Sequence, residues 1–179
     1  MRDEPELLTV GHGRLDGAEL SAVLLTAQVD LVVDIRRFPG SRHNPGVAQE
    51  PLEASLAQVG IGYRWDPRLG GRRTSSSVPP PDPWWQVAAF RAYAEHTRTA
   101  EFQDGLRELL ASVSEHRVAV MCSESVWWRC HRRIVADVVA LTTDVHVRHL
   151  MHDGRRSDHP ASEGARVVGE HLVTWDRDV

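Results

Sequence analysis

Two cysteines lie eight positions apart in the segment Cys122-Ser123-Glu124-Ser125-Val126-Trp127-Trp128-Arg129-Cys130-His131-Arg132-Arg133. The apolar run Val118 to Met121 before it reads as a strand. Arg133 to Leu141 after it reads as a helix that buries Ile134, Val135, Val138, Val139 and Leu141. Cys130 and His131 therefore fall near a helix N-terminus, where backbone N–H groups favour negative charge. A thiol placed there and flanked by arginines is biased toward its thiolate, fit to act as a nucleophile or a redox group. Two other readings stay open. The thiols could be buried and inert, or they could join His131 and a distant His12 or His43 around zinc. The spacing is not that of a zinc knuckle, and neighbours on a helix point apart, so no metal ligand is assigned and no cofactor is expected.

Further reactive groups follow other strand-like runs. Asp34 and Glu124 are carboxylates that could serve as general acid or base, or hold an arginine in place. His12, between Gly11 and Gly13, could approach a ligand closely or cap a turn. Lysine is absent, and Arg36, Arg37, Arg42, Arg64, Arg68, Arg72 and Arg73 crowd one stretch. Genomic base composition can explain the choice of arginine but not the clustering. The guanidinium fork grips phosphate or carboxylate in bidentate fashion, so the cluster points to a local anionic ligand, either a phosphate-bearing small molecule or DNA. The pairs Trp84-Trp85 and Trp127-Trp128 could stack a nucleobase, fill the core, or close a crevice against water.

The elements that must position these groups alternate in type. Leu7 to Val10 reads as a short buried strand stopped by Gly11, and Asp16 can cap a helix carrying Leu20, Val23, Leu24 and Ala27 on one face. Leu31 to Ile35 is a continuous run with no helical period, as in a central parallel strand. Asn44 to Gln58 has helical spacing and Ile61 to Trp65 looks extended. Trp85 to His96 and Glu101 to Val113 are amphipathic, Val145 to Leu150 is a further strand, and Arg166 to Trp175 a short hairpin or edge strands. The fold class expected is α/β: a Rossmann-like, mostly parallel sheet with helices on both faces. One domain is expected over residues 1–179, with a flexible loop at about 70–83 and a short C-terminal extension from about 155. Ligands of such sheets bind beyond the carboxyl ends of the strands, where His12, Arg36 to Ser41 and Cys122 to Glu124 would meet.

Totals agree with a globular chain of 179 residues that is 41% hydrophobic and 26% charged. The net charge of -4 argues against an indiscriminate nucleic-acid binder. No apolar run approaches the roughly 20 residues of a membrane span, and Met1 to Leu8 is too acidic for a signal peptide. A cytoplasmic protein with no membrane partner is expected, and two cysteines fit a reducing compartment.

The motifs together resemble the bacterial family called domain of unknown function 488. They are Thr9-Val10-Gly11-His12, the run Val33 to Ser41, Tyr63 followed by Leu69-Gly70-Gly71-Arg72, Phe90 to Ala94, and Cys122 to Arg133, spanning most of residues 7 to 153. The last is similar to a family signature of Cys, a small residue, Glu, a short insert and Cys-His-Arg, with Ser123 where alanine would be expected. The resemblance implies a Rossmann-type sheet and a site built from Asp34, Arg36, Ser41, Tyr63, Arg72, Cys122, Glu124, Cys130, His131 and Arg132. Adding His12, Arg37, Trp127, Trp128 and Arg129 from position and charge, the expected function is an enzyme acting on a nucleotide or nucleic acid, as in base repair or modification. Cys122 or Glu124 would perform the chemistry. The alternatives are a small-molecule thiol enzyme, with Cys122 as nucleophile and Cys130 as resolving thiol, and a non-enzymatic sensor or binding module.

Overall fold

Apolar strands and amphipathic helices alternate along the chain and assemble into one six-stranded sheet in a computed structural model that describes residues 4–178. Met1 to Asp3, the start of the acidic N-terminal segment, lie outside the described residues. The order is β1 (Glu6–Gly11), α1 (Gly17–Thr26), β2 (Leu31–Asp34), α2 (Gln49–Gln58), β3 (Gly62–Trp65), α3 (Ala88–His96), α4 (Ala100–Glu115), β4 (Val118–Cys122), α5 (Arg132–Thr142), β5 (His146–Leu150) and β6 (Arg156–Asp158). The strands lie in the order β3-β2-β4-β1-β5-β6, all parallel except for the β5–β6 pair. This is the mixed α/β, Rossmann-like sheet that the alternation predicts.

Side-chain alternation along the strands feeds two cores. Leu8, Val10, Val32, Ala119 and Met121 point to one face, where Leu20 and Leu24 of α1 and Leu52 and Leu56 of α2 cover them. Leu7, Val33, Val118, Val120 and Cys122 point to the other, under Tyr93 of α3, Phe102 and Leu106 of α4, and Ile134, Val135 and Val138 of α5. Each fully buried aliphatic side chain contributes about 1.5–3 kcal/mol, so burial on both faces outweighs the indifferent helical preference of these β-branched runs. Asp16 caps α1 by accepting from the Glu19 N–H at 2.8 Å, as its position before the apolar stripe predicts.

Two boundaries differ from the sequence reading. The helix expected over Asn44 to Gln58 is split into a single turn at Pro45–Val47 and α2, because Pro45 and Pro51 lack an N–H and fit only the first turn of a helix. The helix expected from Trp85 begins at Ala88, since the Trp85 N–H closes a turn on the Asp82 carbonyl. The loop at 70–83 contains neither helix nor strand, yet it is fastened. The hydroxyls of Ser75, Ser76 and Ser77 all donate to the Glu95 carboxylate of α3, and buried Asp82 accepts from Arg98 and from the Trp175 N–H.

The C-terminal extension is integral to the core. After edge strand β6, the hairpin of β7 (Ala165–Gly169) and β8 (Leu172–Trp175) packs on α5 and buries Trp175 completely. Among the described residues no helix is long and apolar enough to cross a membrane.

Candidate functional site

The chain leaves β2 through α2 on one face of the sheet and leaves the neighbouring β4 through α5 on the other. Such a reversal opens a crevice beyond the carboxyl ends of the strands. A cavity of about 310 Å³ lies there, and the residues that follow β1, β2 and β4 line it.

At the end of β2, Asp34 is fully buried with both carboxylate oxygens occupied. Oδ1 accepts from the Arg36 backbone N–H at 3.0 Å and from Arg36 Nε at 2.9 Å, while Oδ2 accepts from Arg36 Nη2 at 2.7 Å and from the Tyr63 hydroxyl at 2.5 Å. So engaged, Asp34 orients Arg36 and Tyr63 from behind the cavity wall instead of offering a free base. Arg36 is itself nearly buried and reaches His12, with Nη1 3.4 Å from Nε2. The His12 Nδ1–H donates to the Gly13 carbonyl at 3.0 Å, which leaves Nε2 as the acceptor for Arg36. Burial, helped by the Arg36 charge, lowers the His12 pKa below its usual range and keeps the ring neutral.

At the end of β4, the 122–125 segment bends across β1 at a point that only glycine permits. A Cβ on Gly11 would stand 1.8 Å from the Glu124 carbonyl oxygen, the same oxygen that accepts from Arg132 Nη2 at 2.6 Å. The Glu124 carboxylate is exposed at the mouth of the cavity and accepts from the Val126 N–H at 3.2 Å.

Cys130 is extended and His131 forms the N-cap of α5, so the two side chains converge. Cys130 Sγ lies 3.6 Å from His131 Nδ1 and accepts from the Arg132 backbone N–H at 3.5 Å. The other ring nitrogen of His131, Nε2, donates to the Ile35 carbonyl at 3.2 Å, which aims Nδ1 at the sulfur. Arg132 is 1% exposed and, among the described residues, has no carboxylate partner. Its positive charge favours the thiolate form of both cysteines.

Burial alone pushes the Cys130 thiol up. The Cys122 S–H, His131 and Arg132 outweigh that and hold it well below the usual thiol range. Cys122 moves the other way. Burial first, and donation to the Cys130 sulfur next, push its thiol well above the usual value. The two thiols, whose sulfurs lie within 4.8 Å of each other, are thus biased in opposite directions, Cys130 toward its thiolate and Cys122 away from it.

The same geometry removes one objection to a metal. Ligand atoms of Cys122, Cys130 and His131 all lie within 4.8 Å of one another, because Cys130 precedes the helix. The set lacks a fourth donor among the described residues. The buried Arg132 cation already balances the charge that an ion would balance, so this donor set fits an ion poorly.

Around the mouth, Arg37, Arg72 and Arg129 line the cavity, and among the described residues none pairs with a carboxylate. Arg37 Nη1 donates to the Arg72 carbonyl at 2.5 Å, and Arg72 holds a positive φ of 57°. Both guanidiniums stand over the exposed Phe38 ring, 5.4 and 5.9 Å from its centroid. Gly71 lets this loop close on the site, as a Cβ there would lie 3.0 Å from His131 Nδ1. Ser41 also lines the cavity, its Oγ accepting from the Asn44 N–H.

Of the residues expected at the site, His12, Arg36, Arg37, Ser41, Arg72, Cys122, Glu124, Arg129, Cys130 and His131 line the cavity. Asp34, Tyr63 and Arg132 stand behind it, with Asp34 gripping Arg36, Tyr63 donating to Asp34, and Arg132 bonding to Cys130 Sγ and the Glu124 carbonyl. Trp127 and Trp128 lie outside. Trp127 is stacked parallel to the His149 ring, 4.1 Å away, and Trp128 projects into solvent. Trp84 and Trp85 pack with Phe90 and Trp175 beneath Arg133. The ring surfaces at the cavity are those of Phe38, Phe90 and Tyr93, which the paired tryptophans overshadow in the sequence.

Fold and site together define a Rossmann-like α/β protein with a buried thiol pair at the β2–β4 crevice. The family described as Domain of unknown function DUF488 matches residues 18–139, more than half of the chain, and the protein belongs to that family. Comparison with curated proteins and with solved structures gave no match.

Proposed function

We propose that this protein is an enzyme that holds a phosphate-bearing, ring-containing substrate, a nucleotide or a single nucleotide of a nucleic acid, and attacks it with the Cys130 thiolate. The observation that carries this reading is the Cys130–His131 pair beside a buried, carboxylate-free Arg132 at an arginine-lined cavity. In the attack, sulfur bonds to the electrophilic centre of the substrate. The leaving group departs with a proton that His131 has taken from the thiol and returns. Arg37, Arg72 and Arg129 supply fork donors for phosphate, and Phe38 and Phe90 supply faces for a ring. At about 310 Å³ the cavity suits one nucleotide and excludes a duplex, so a base from DNA would enter unstacked. A free thiolate suits a reducing compartment, and we place the protein in the cytoplasm.

A second reading, disulfide exchange, is favoured by the proximity of the two free thiols, whose sulfurs lie within 4.8 Å of each other. In it Cys130 attacks a substrate disulfide and Cys122 resolves the mixed disulfide.

The test is binding of fluorescent nucleoside monophosphates and single-stranded oligonucleotides across a salt series. Arg36 is a poor site for substitution, because its loss strands buried Asp34 and threatens the fold. Arg129, exposed at the mouth, is the better one. The reading predicts salt-sensitive binding, with Arg129→Ala reducing the slope of log affinity against log salt by about one. Absence of binding at low ionic strength by every nucleotide and oligonucleotide would abandon the nucleotide reading in favour of disulfide exchange.

A further inference from the structure

Behind the thiol pair runs a chain of buried polar groups that the proposed chemistry does not touch. Asp137 lies on α5 among valines and is fully buried. Its Oδ1 accepts from His159 Nε2 at 2.8 Å and from the Ser162 N–H at 2.9 Å, and its Oδ2 accepts from Trp175 Nε1 at 2.8 Å. His159 Nδ1 lies 2.9 Å from His149 Nε2, and His149 Nδ1 lies 2.6 Å from the Thr9 hydroxyl. Thr9 Oγ1 in turn accepts from Arg132 Nη1 at 3.4 Å.

With both imidazoles neutral, only one assignment of protons satisfies every link. An ionised carboxylate only accepts, so His159 carries its proton on Nε2 and accepts at Nδ1. His149 must then donate from Nε2 and accept at Nδ1, and Thr9 must donate to His149 while accepting from Arg132. Every bond points the same way, from the guanidinium toward the carboxylate. The aligned dipoles thus connect a buried cation to a buried anion that share no ion pair. Burial, with His159 and Arg132 nearby, pushes the His149 pKa down to about 3. Trp127, parallel to His149, fixes its plane.

We propose that Asp137, acting through His159, His149 and Thr9, positions the Arg132 guanidinium against the Cys130 and Cys122 sulfurs. The four are positioning residues, and the inference rests on the Cys130 thiolate reading above. Arg132 Nη2 is held by the Glu124 carbonyl and Nη1 by Thr9, while Nε has no hydrogen-bond partner among the described residues. Loss of the Thr9 link would leave the guanidinium free to turn about Nη2. The other titratable groups facing Cys130 are Cys122, His131 and Tyr93, and the hydrogen bonds of the Thr9 side chain go instead to His149 and Arg132.

The experiment is the pH profile of Cys130 alkylation by iodoacetamide, resolved by mass spectrometry, in wild type, Thr9→Val and Thr9→Ser. The relay predicts that Thr9→Val moves the Cys130 midpoint upward and slows alkylation at neutral pH about tenfold, as the thiolate fraction falls, while Thr9→Ser restores the wild-type profile. A merely structural role would lower the melting temperature and leave the midpoint in place. A depressed wild-type midpoint that Thr9→Val does not move overturns the relay alone. An ordinary wild-type midpoint removes the thiolate reading and the relay's purpose with it. Should Thr9→Val fail to fold, nitrogen NMR of the wild-type histidines decides. Protons on Nε2 of both His149 and His159 support the relay, and a proton on Nδ1 of either one overturns it.

Discussion

At the scale of single residues, the surroundings make two chemically identical thiols unequal. Cys130 lies beside His131 Nδ1 and receives a hydrogen bond from the Arg132 backbone, whereas Cys122 is enclosed at the end of β4. The sequence shows both cysteines and the arginines, but nothing in their order says that His131 and the Arg132 N–H fall beside Cys130 and leave Cys122 enclosed at a strand end. The histidines behind them carry a prediction of their own. The folded-state pKa of His149 is about 3 against a usual 6.5, so unfolding releases a ring that takes up a proton in acid. The stabilising contribution is complete above pH 6.5 and is lost toward pH 3, at up to about 1.4 kcal/mol per pH unit. His149→Gln removes that ring, so its urea midpoint should fall less steeply than that of wild type between about pH 7 and about pH 5. Parallel curves for the two proteins would assign the acid sensitivity to other groups.

At the scale of elements, the site is assembled by close approaches at strand ends. β1 can pass under the 122–125 segment only because Gly11 has no side chain. Gly11→Ala should therefore destabilise by about 1–3 kcal/mol or displace the segment, whereas Gly40→Ala, which meets nothing within 4 Å, should leave the urea midpoint near that of wild type. Strand and helix types were legible because burial on two faces imposes apolar runs on β1, β2 and β4 and stripes on α4 and α5. Helix starts near Pro45 and Trp85 were not, since local turn bonds decide them. The relay was half legible. Asp137 interrupts the valine stripe of α5 and must have partners if buried, but those partners come from the segment after β6 and from β8, with no regular spacing to betray them.

At the scale of the whole molecule, the topology explains why residues far apart in sequence share a cavity. The order β3-β2-β4-β1-β5-β6 brings the ends of β2 and β4 side by side and sends their helices to opposite faces, which leaves the crevice open between them. The matched region, 18–139, contains the cavity-lining residues apart from His12, while Thr9, His149, His159 and Trp175 lie outside it. The hairpin β7–β8 is thus more than an appendage, since Trp175 closes the buried surroundings of Asp137. Sequence reasoning placed the crevice, because strand ends are where such sheets bind, but assigned its ring surfaces to tryptophans that face elsewhere. All of this converges on one sulfur. The most direct measurement is the rate of iodoacetamide alkylation at Cys130 against pH in the native protein, with Cys122 as the internal comparison. The account predicts that Cys130 reacts through neutral pH with a midpoint below the ordinary thiol value of about 8.5, and that Cys122 stays unreactive until above it. Equal reactivity, or a thiol at Cys130 that reacts only after unfolding, would contradict the account.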